Sequence, residues 1–149
     1  MRFIICLASI IILSCDTIPE KCVDLKFYSD IIYPDEGIQE KNITLKDSVR
    51  YSGRCSRFHE NGKLSSIQQF KDGKDHGLWK FYFSNGNLET IGKFKKGLRN
   101  GQWKYYYENG QIYQIAQYRL GTKHGVWKVY REDGELVVEQ KWNNGEPVN

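Results

Sequence analysis

Along residues 53–149, short apolar and aromatic runs alternate with glycine-centred polar stretches at a fixed interval. Gly77-Leu78-Trp79-Lys80-Phe81-Tyr82 returns twenty-four residues later as Gly101-Gln102-Trp103-Lys104-Tyr105-Tyr106. It returns again as Gly125-Val126-Trp127-Lys128-Val129-Tyr130. Gly86, Gly110 and Gly134 keep the same step, as do Leu88, Ile112 and Leu136, then Phe94, Tyr118 and Trp142, then Gly97, Gly121 and Gly145. One unit upstream, Gly53, Phe58, Gly62, Leu64, Phe70 and Gly73 stand in register, with Cys55 in the place of the tryptophan. Self-similarity at a fixed period marks a repeat architecture. Four units fit without an insertion.

Each unit reads as a hairpin. Residues 79–83 form an aromatic strand, Ser84-Asn85-Gly86-Asn87 a turn, and residues 88–94 the return strand. Glu60-Asn61-Gly62, Glu108-Asn109-Gly110 and Glu132-Asp133-Gly134 repeat the turn, and Asn-Gly or Asp-Gly between apolar runs is the strongest short-range hairpin signal. A second glycine loop, residues 95–100, leads into the next unit. No stretch shows apolar spacing of three and four over a helical length. The expected fold is therefore all-β: a single-sheet antiparallel β-meander solenoid of about four 24-residue hairpin repeats. A lone hairpin buries too little to fold, so stability comes from stacking neighbours.

Composition agrees, with ten Tyr, seven Phe, four Trp and fourteen Gly beside three Pro. The net charge of +4 is unevenly distributed. Residues 16–50 hold eight acidic and five basic side chains, a net of −3, whereas residues 51–149 hold ten acidic and sixteen basic, a net of +6. A mild basic surplus steers acidic partners or anionic head groups and does not argue for nucleic acid.

The first residues read as an address. Met1-Arg2 is positive, residues 3–13 are apolar apart from Ser9, and polarity resumes at Asp16. These are the parts of an export signal, and the run is too short to span about 30 Å of hydrocarbon. Ile12-Leu13-Ser14-Cys15 resembles the lipobox of bacterial lipoproteins, which implies cleavage before Cys15 and a lipid on its thiol. That divides the chain into a lipoprotein-type signal peptide (1–14), a tether and degenerate cap (15–52) and the repeats (53–149). The cap rests on Tyr33-Pro34-Asp35-Glu36-Gly37, which mimics the strand end and turn of a repeat, and on Leu45. Cys22 and Cys55 remain in the mature chain. An exported compartment permits a disulfide between them; two separate thiols are the other reading.

With Gly-x-Trp-Lys-x-Tyr, the Asn-Gly turn, the following aromatic and the later glycine in place, the array resembles MORN-variant repeats, a type that includes the bacterial YwqK-family antitoxins. The resemblance covers about two-thirds of the chain. It implies a β-meander solenoid that contacts proteins or lipid through its sheet, and no catalysis.

Trp79, Trp103 and Trp127 form one ladder and Tyr82, Tyr106 and Tyr130 another, read here as core packing between repeats rather than stacking platforms for sugars or bases. Trp and Tyr stand three apart, so either a bulge intervenes or both faces are partly covered. Lys80, Lys104 and Lys128 alternate against the tryptophans as a positive row, thickened by Lys93, Lys95, Lys96 and Arg99. This row is either a solvated face or a site for an acidic partner or phospholipid. His76 and His124 lie two repeats apart, too far to share one metal ion, and with Asn100 and His59 they fit turn roles. No nucleophile–base pair, metal set or phosphate loop is present, so neither an enzyme, a cofactor nor a small-molecule substrate is expected. The expected function is a lipid-anchored binding or scaffold module at the bacterial cell envelope that docks a protein partner. The alternatives are an antitoxin or immunity protein whose partner is a toxin, and a membrane-surface protein using the basic row.

Overall fold

The computed structural model describes residues 20–21, 26–28, 43–46 and 49–148, with side chains from Arg50 onward. Cys15, Cys22, the export signal and the Tyr33–Gly37 motif fall outside the described residues. Every regular element described is a strand. The leader contributes β1 (Glu20–Lys21), β2 (Lys26–Tyr28), β3 (Ile43–Lys46) and β4 (Val49–Arg50). The repeats contribute four long hairpins: β5 (Gly53–Phe58) with β6 (Leu64–Lys71), β8 (Gly77–Tyr82) with β9 (Leu88–Lys95), β11 (Gly101–Tyr106) with β12 (Ile112–Arg119), and β14 (Gly125–Tyr130) with β15 (Leu136–Asn143). Short strands β7 (Lys74–Asp75), β10 (Leu98–Arg99), β13 (Thr122–Lys123) and β16 (Glu146–Val148) follow the return strands.

The large sheet runs in the order β1-β5-β6-β8-β9-β11-β12-β14-β15-β16, with β7, β10 and β13 folded back on β6, β9 and β12. This is the up-and-down meander that the repeat period implies. One departure lies at its start, where β1 pairs with β5 in parallel, setting Glu20 beside Cys55 and Lys21 beside Ser56. Strands β2, β3 and β4 form a separate three-stranded sheet, in which Leu45 of β3 lies between Lys26 and Arg50.

The two glycine loops are built differently from the expectation. At the hairpin tips only the glycines Gly62, Gly86, Gly110 and Gly134 take positive φ; the residues before them do not. Gly86 N–H donates to the Phe83 carbonyl at 2.9 Å, and the Asn85 Oδ1 accepts Asn87 N–H at 2.8 Å. This is a longer tip stabilised by an Asx bond, the side chain holding the chain two residues on. The paired left-handed angles of a tight two-residue turn occur instead in the second loop, at Asp72-Gly73, Lys96-Gly97, Leu120-Gly121 and Asn144-Gly145.

A branched Leu120 at φ 45° is out of place there, since a Cβ in the left-handed region costs about 1–2 kcal/mol unless a short polar side chain offsets it. Its side chain is half exposed and forms no core. Leu120→Asn, the residue type found at the same place in the last repeat, is expected to raise stability by about 1 kcal/mol. Urea denaturation checks this, and no gain or a loss counts against the strain argument.

The core is one column of rings on a single face of the sheet. Tyr51, Phe70, Trp79, Phe94, Trp103, Tyr118, Trp127 and Trp142 follow one another at centroid distances of 5.8, 5.4, 4.8, 4.9, 6.4, 5.2 and 5.8 Å. Most contacts are edge-on, the arrangement ring quadrupoles favour, and each pair contributes about 0.5–1.5 kcal/mol beyond its burial. Tyr51 belongs to this column although it precedes Gly53. Its carbonyl accepts Gly73 N–H, as those of Asp75, Arg99 and Lys123 accept Gly97, Gly121 and Gly145. The repeat step therefore begins at Tyr51.

Candidate docking face

Strand alternation divides the sheet into two chemically different faces. On the first, Trp79 lies opposite Gly92, Trp103 opposite Ala116, Trp127 opposite Gln140 and Cys55 opposite Gln68. Each tryptophan leans onto the preceding repeat. Its indole N–H donates to a carbonyl ten residues back: Trp79 to Gln69 at 2.8 Å, Trp103 to Lys93 at 3.2 Å and Trp127 to Gln117 at 2.8 Å. The same three carbonyls accept the backbone N–H of His76, Asn100 and His124. The side chain at this repeat position serves the backbone too: Asn100 Oδ1 accepts Leu120 N–H at 3.3 Å, and Ser52 Oγ, one unit before His76, accepts Asp72 N–H at 2.8 Å.

Trp103 is the best-buried ring, 2% exposed, because it lies flat on a residue with no side chain. A Cβ built on Gly92 would meet the indole at 2.1 Å. The aromatic residue that meets Trp79 or Trp103 from the same strand is not the tyrosine of the second ladder. Phe81 and Tyr105, one position earlier, contact Trp79 at 5.9 Å and Trp103 at 6.3 Å. Tyr82, Tyr106 and Tyr130 are half-buried and follow a register shift in the ladder, the first of the two arrangements that three-residue spacing allows. Tyr82 and Tyr130 serve the next contact through their carbonyls. His59 Nε2 donates to Tyr82 at 2.7 Å, which fixes the proton on that nitrogen, and Tyr107 donates to Tyr130 at 2.9 Å.

Burial also sets the ionisation on this face. It raises the Tyr105 hydroxyl well above the usual range for tyrosine; Arg99 opposes that rise and Tyr118 adds to it. It raises Tyr82 as well, and it pushes the Asp75 carboxyl from an ordinary 3.8 up to about 6. Asp75 occupies the repeat position of Arg99 and Lys123, both of which place a cation on two rings. The Arg99 guanidinium is 4.9 Å from Trp103 and 5.4 Å from Tyr118; the Lys123 ammonium is 4.9 Å from Trp127 and 4.5 Å from Trp142. Arg99 thus serves the aromatic face and does not thicken the lysine row, because its short strand folds back beside Phe94.

The opposite face carries the lysines. The strand registers join Ser56, Ile67, Lys80, Ile91, Lys104, Ile115, Lys128 and Glu139 as successive cross-strand neighbours in one unbroken row. Successive lysines are two strands apart, about 9.6 Å, with one isoleucine between each pair. Lys93, opposite Leu78, and Lys141, opposite Val126, add charge beside the row. Among the described residues, Glu139 is the carboxylate that meets it, 3.3 Å from Lys128. Sequence reasoning misses the isoleucines because they sit on return strands, and only the ladder register brings them between the lysines.

Cys55 is fully buried and disulfide-bonded. Among the described residues no group of three or more His, Cys, Asp or Glu side chains gathers as a metal site. Chemically the arrangement offers a cohesive aromatic face and a cationic, partly apolar one.

A search of curated proteins returns no match. The family model described as "MORN repeat variant" matches residues 51–72, 75–96, 99–119 and 123–144, one match for each hairpin. Because those four matches cover more than half of the chain and coincide with the hairpins of the sheet, the chain belongs to the MORN repeat variant family.

Proposed function

We propose that this chain is a non-enzymatic docking module held at the bacterial cell envelope by a lipid on Cys15, with its lysine face turned to a protein partner. A MORN repeat variant array is a repeat-based binding or scaffold module. The observation that favours one face is the contrast between the two. The aromatic face is occupied by contacts between its own rings, whereas the other presents an ordered row of cations and isoleucines. Lys80, Lys104 and Lys128 are part-exposed and stand beside the isoleucines in register, a setting in which long stems cover apolar surface while the charged ends stay hydrated.

The anchor rests on the lipobox-like Ile12-Leu13-Ser14-Cys15 and on the polar tether after it. A bond between Cys22 and Cys55 fits the same picture, since β1 ends at Lys21 beside Cys55 and Ser56 and would fasten the tether to the first repeat.

Two measurements test the reading. Cys15→Ser is expected to abolish palmitate labelling and to move the protein out of the membrane fraction; unchanged labelling or fractionation rejects the anchor. A photo-crosslinking residue at Gln102, beside Lys104 on the lysine face, should trap one discrete protein in cells, while the same probe at the turn residue Gln111 should not. Equal adducts from both positions, or none from Gln102, reject the docking face. The identity of the trapped protein separates a toxin, the partner of an antitoxin, from an envelope component.

A further inference from the structure

The lysine row has a geometry that selects among acidic partners. The backbone positions of its lysines stand about 9.6 Å apart along a line across the strands. A polyproline chain rises about 3.1 Å per residue with three residues per turn, so every third side chain returns to the same side after about 9.3 Å. A β-extended chain covers about 9.9 Å in three residues but turns the third side chain to the opposite face. A two-residue step covers about 6.6 Å and two helical turns about 10.8 Å, so both drift further from each successive lysine than the polyproline turn does. The isoleucines mark the midpoints: Ile91 lies between Lys80 and Lys104, and Ile115 between Lys104 and Lys128.

We infer that the face is shaped for an acidic segment of a protein partner in the polyproline conformation, carrying one carboxylate at every third residue and lying across the strands. The inference rests on the docking reading above and names the chemistry of the partner. Carboxylates pair with Lys80, Lys104 and Lys128, and small apolar residues between them rest on Ile91 and Ile115. The row also has a direction. At one end Glu139 already holds Lys128 at 3.3 Å, so an incoming carboxylate there must share or displace it; at the other end the register runs through Ser56 to Lys21 of β1, with no carboxylate position at that end of the row. Lys80 and Lys104 are therefore the stronger positions.

The probes are two fluorescent peptides of equal length, charge and composition. The spaced peptide is four consecutive Glu-Ala-Pro triplets; the blocked peptide places the four glutamates together, followed by four Ala-Pro pairs. Fluorescence polarisation with the full chain in a neutral detergent at low salt is expected to show at least five-fold tighter binding of the spaced peptide. Lys104→Gln should weaken it at least three-fold and Lys104→Glu should abolish it. Lys96→Gln, in a loop away from the row, should leave it unchanged. The near-ultraviolet dichroism of the stacked rings verifies that each variant is folded.

Equal affinity for the two peptides overturns the spacing, leaving charge alone. Unchanged binding by Lys104→Gln overturns the site. Failure of both peptides while Gln102 still traps a protein overturns the acidic segment but keeps the docking face. Failure of both peptides with flotation on phosphatidylglycerol vesicles, but not on phosphatidylcholine vesicles, overturns both in favour of a lipid surface.

Discussion

Trp103→Ala is expected to lower the unfolding free energy by about 4 kcal/mol, the middle of the ~3–5 kcal/mol range for removing a buried aromatic ring. The ring is 2% exposed, touches Phe94 at 4.9 Å and Tyr118 at 6.4 Å, carries the Arg99 guanidinium on its face and holds the Lys93 carbonyl. Alanine leaves a cavity at the middle of the column, and the flat seat at Gly92 cannot close it because Gly92 has no side chain to move. Trp127→Ala should cost less, about 2 kcal/mol, because that ring is only half-buried.

The array form sharpens the expectation. Repeats are stabilised by nearest neighbours, so a break in the middle uncouples the two halves. Urea denaturation of Trp103→Ala should therefore show a broadened or two-step transition, and Trp127→Ala a single one. Gly92→Ala should reproduce part of the loss, about 1–3 kcal/mol, by forcing the indole off its seat. Combined with Trp103→Ala it should add almost nothing, since the clash disappears with the ring. A single sharp transition with a loss under about 1 kcal/mol in Trp103→Ala would falsify the central role of the ring column.

Much of this is legible in the sequence, for a physical reason. A repeat writes the same local problem four times, so the hairpins, the strand order and the lysine row follow from one unit and its period. What is not legible concerns contacts between units. Gly92, Ala116 and Gln68 occupy one position, and only the lean of each tryptophan onto the preceding repeat shows why a glycine there gives the deepest burial. Arg99 looks like part of a basic patch because charge is visible in a sequence, whereas the fold-back of β10 that carries it to the rings is not. The tip turns depart from expectation for a similar reason. Asn-Gly fits two turn geometries, and the choice between them depends on the length of the flanking strands. Tyr51 reads as leader because it precedes the first glycine of the motif, although it holds the position of Asp75 one period earlier.

That same position gives the second large effect. Asp75→Asn should stabilise the protein by up to about 3 kcal/mol at pH 7 and by almost nothing near pH 3.5. Its carboxyl is raised from 3.8 to about 6 by burial, which disfavours the charged form. The folded state thus keeps a proton that the unfolded chain releases between about pH 4 and 6. Stability from this group is full below pH 3.8, falls as pH rises through that window, and levels off above about 6. Other carboxylates contribute their own pH dependence, so the quantity to measure is the difference between wild type and variant in urea midpoints from about pH 3.5 to 7.5. It should open between about pH 4 and 6 and then stay constant. Asp75→Arg should go further, because Arg99 and Lys123 show that the position accepts a cation against two rings. A pH-independent difference would mean that Asp75 acts through its hydrogen-bonding shape rather than its charge.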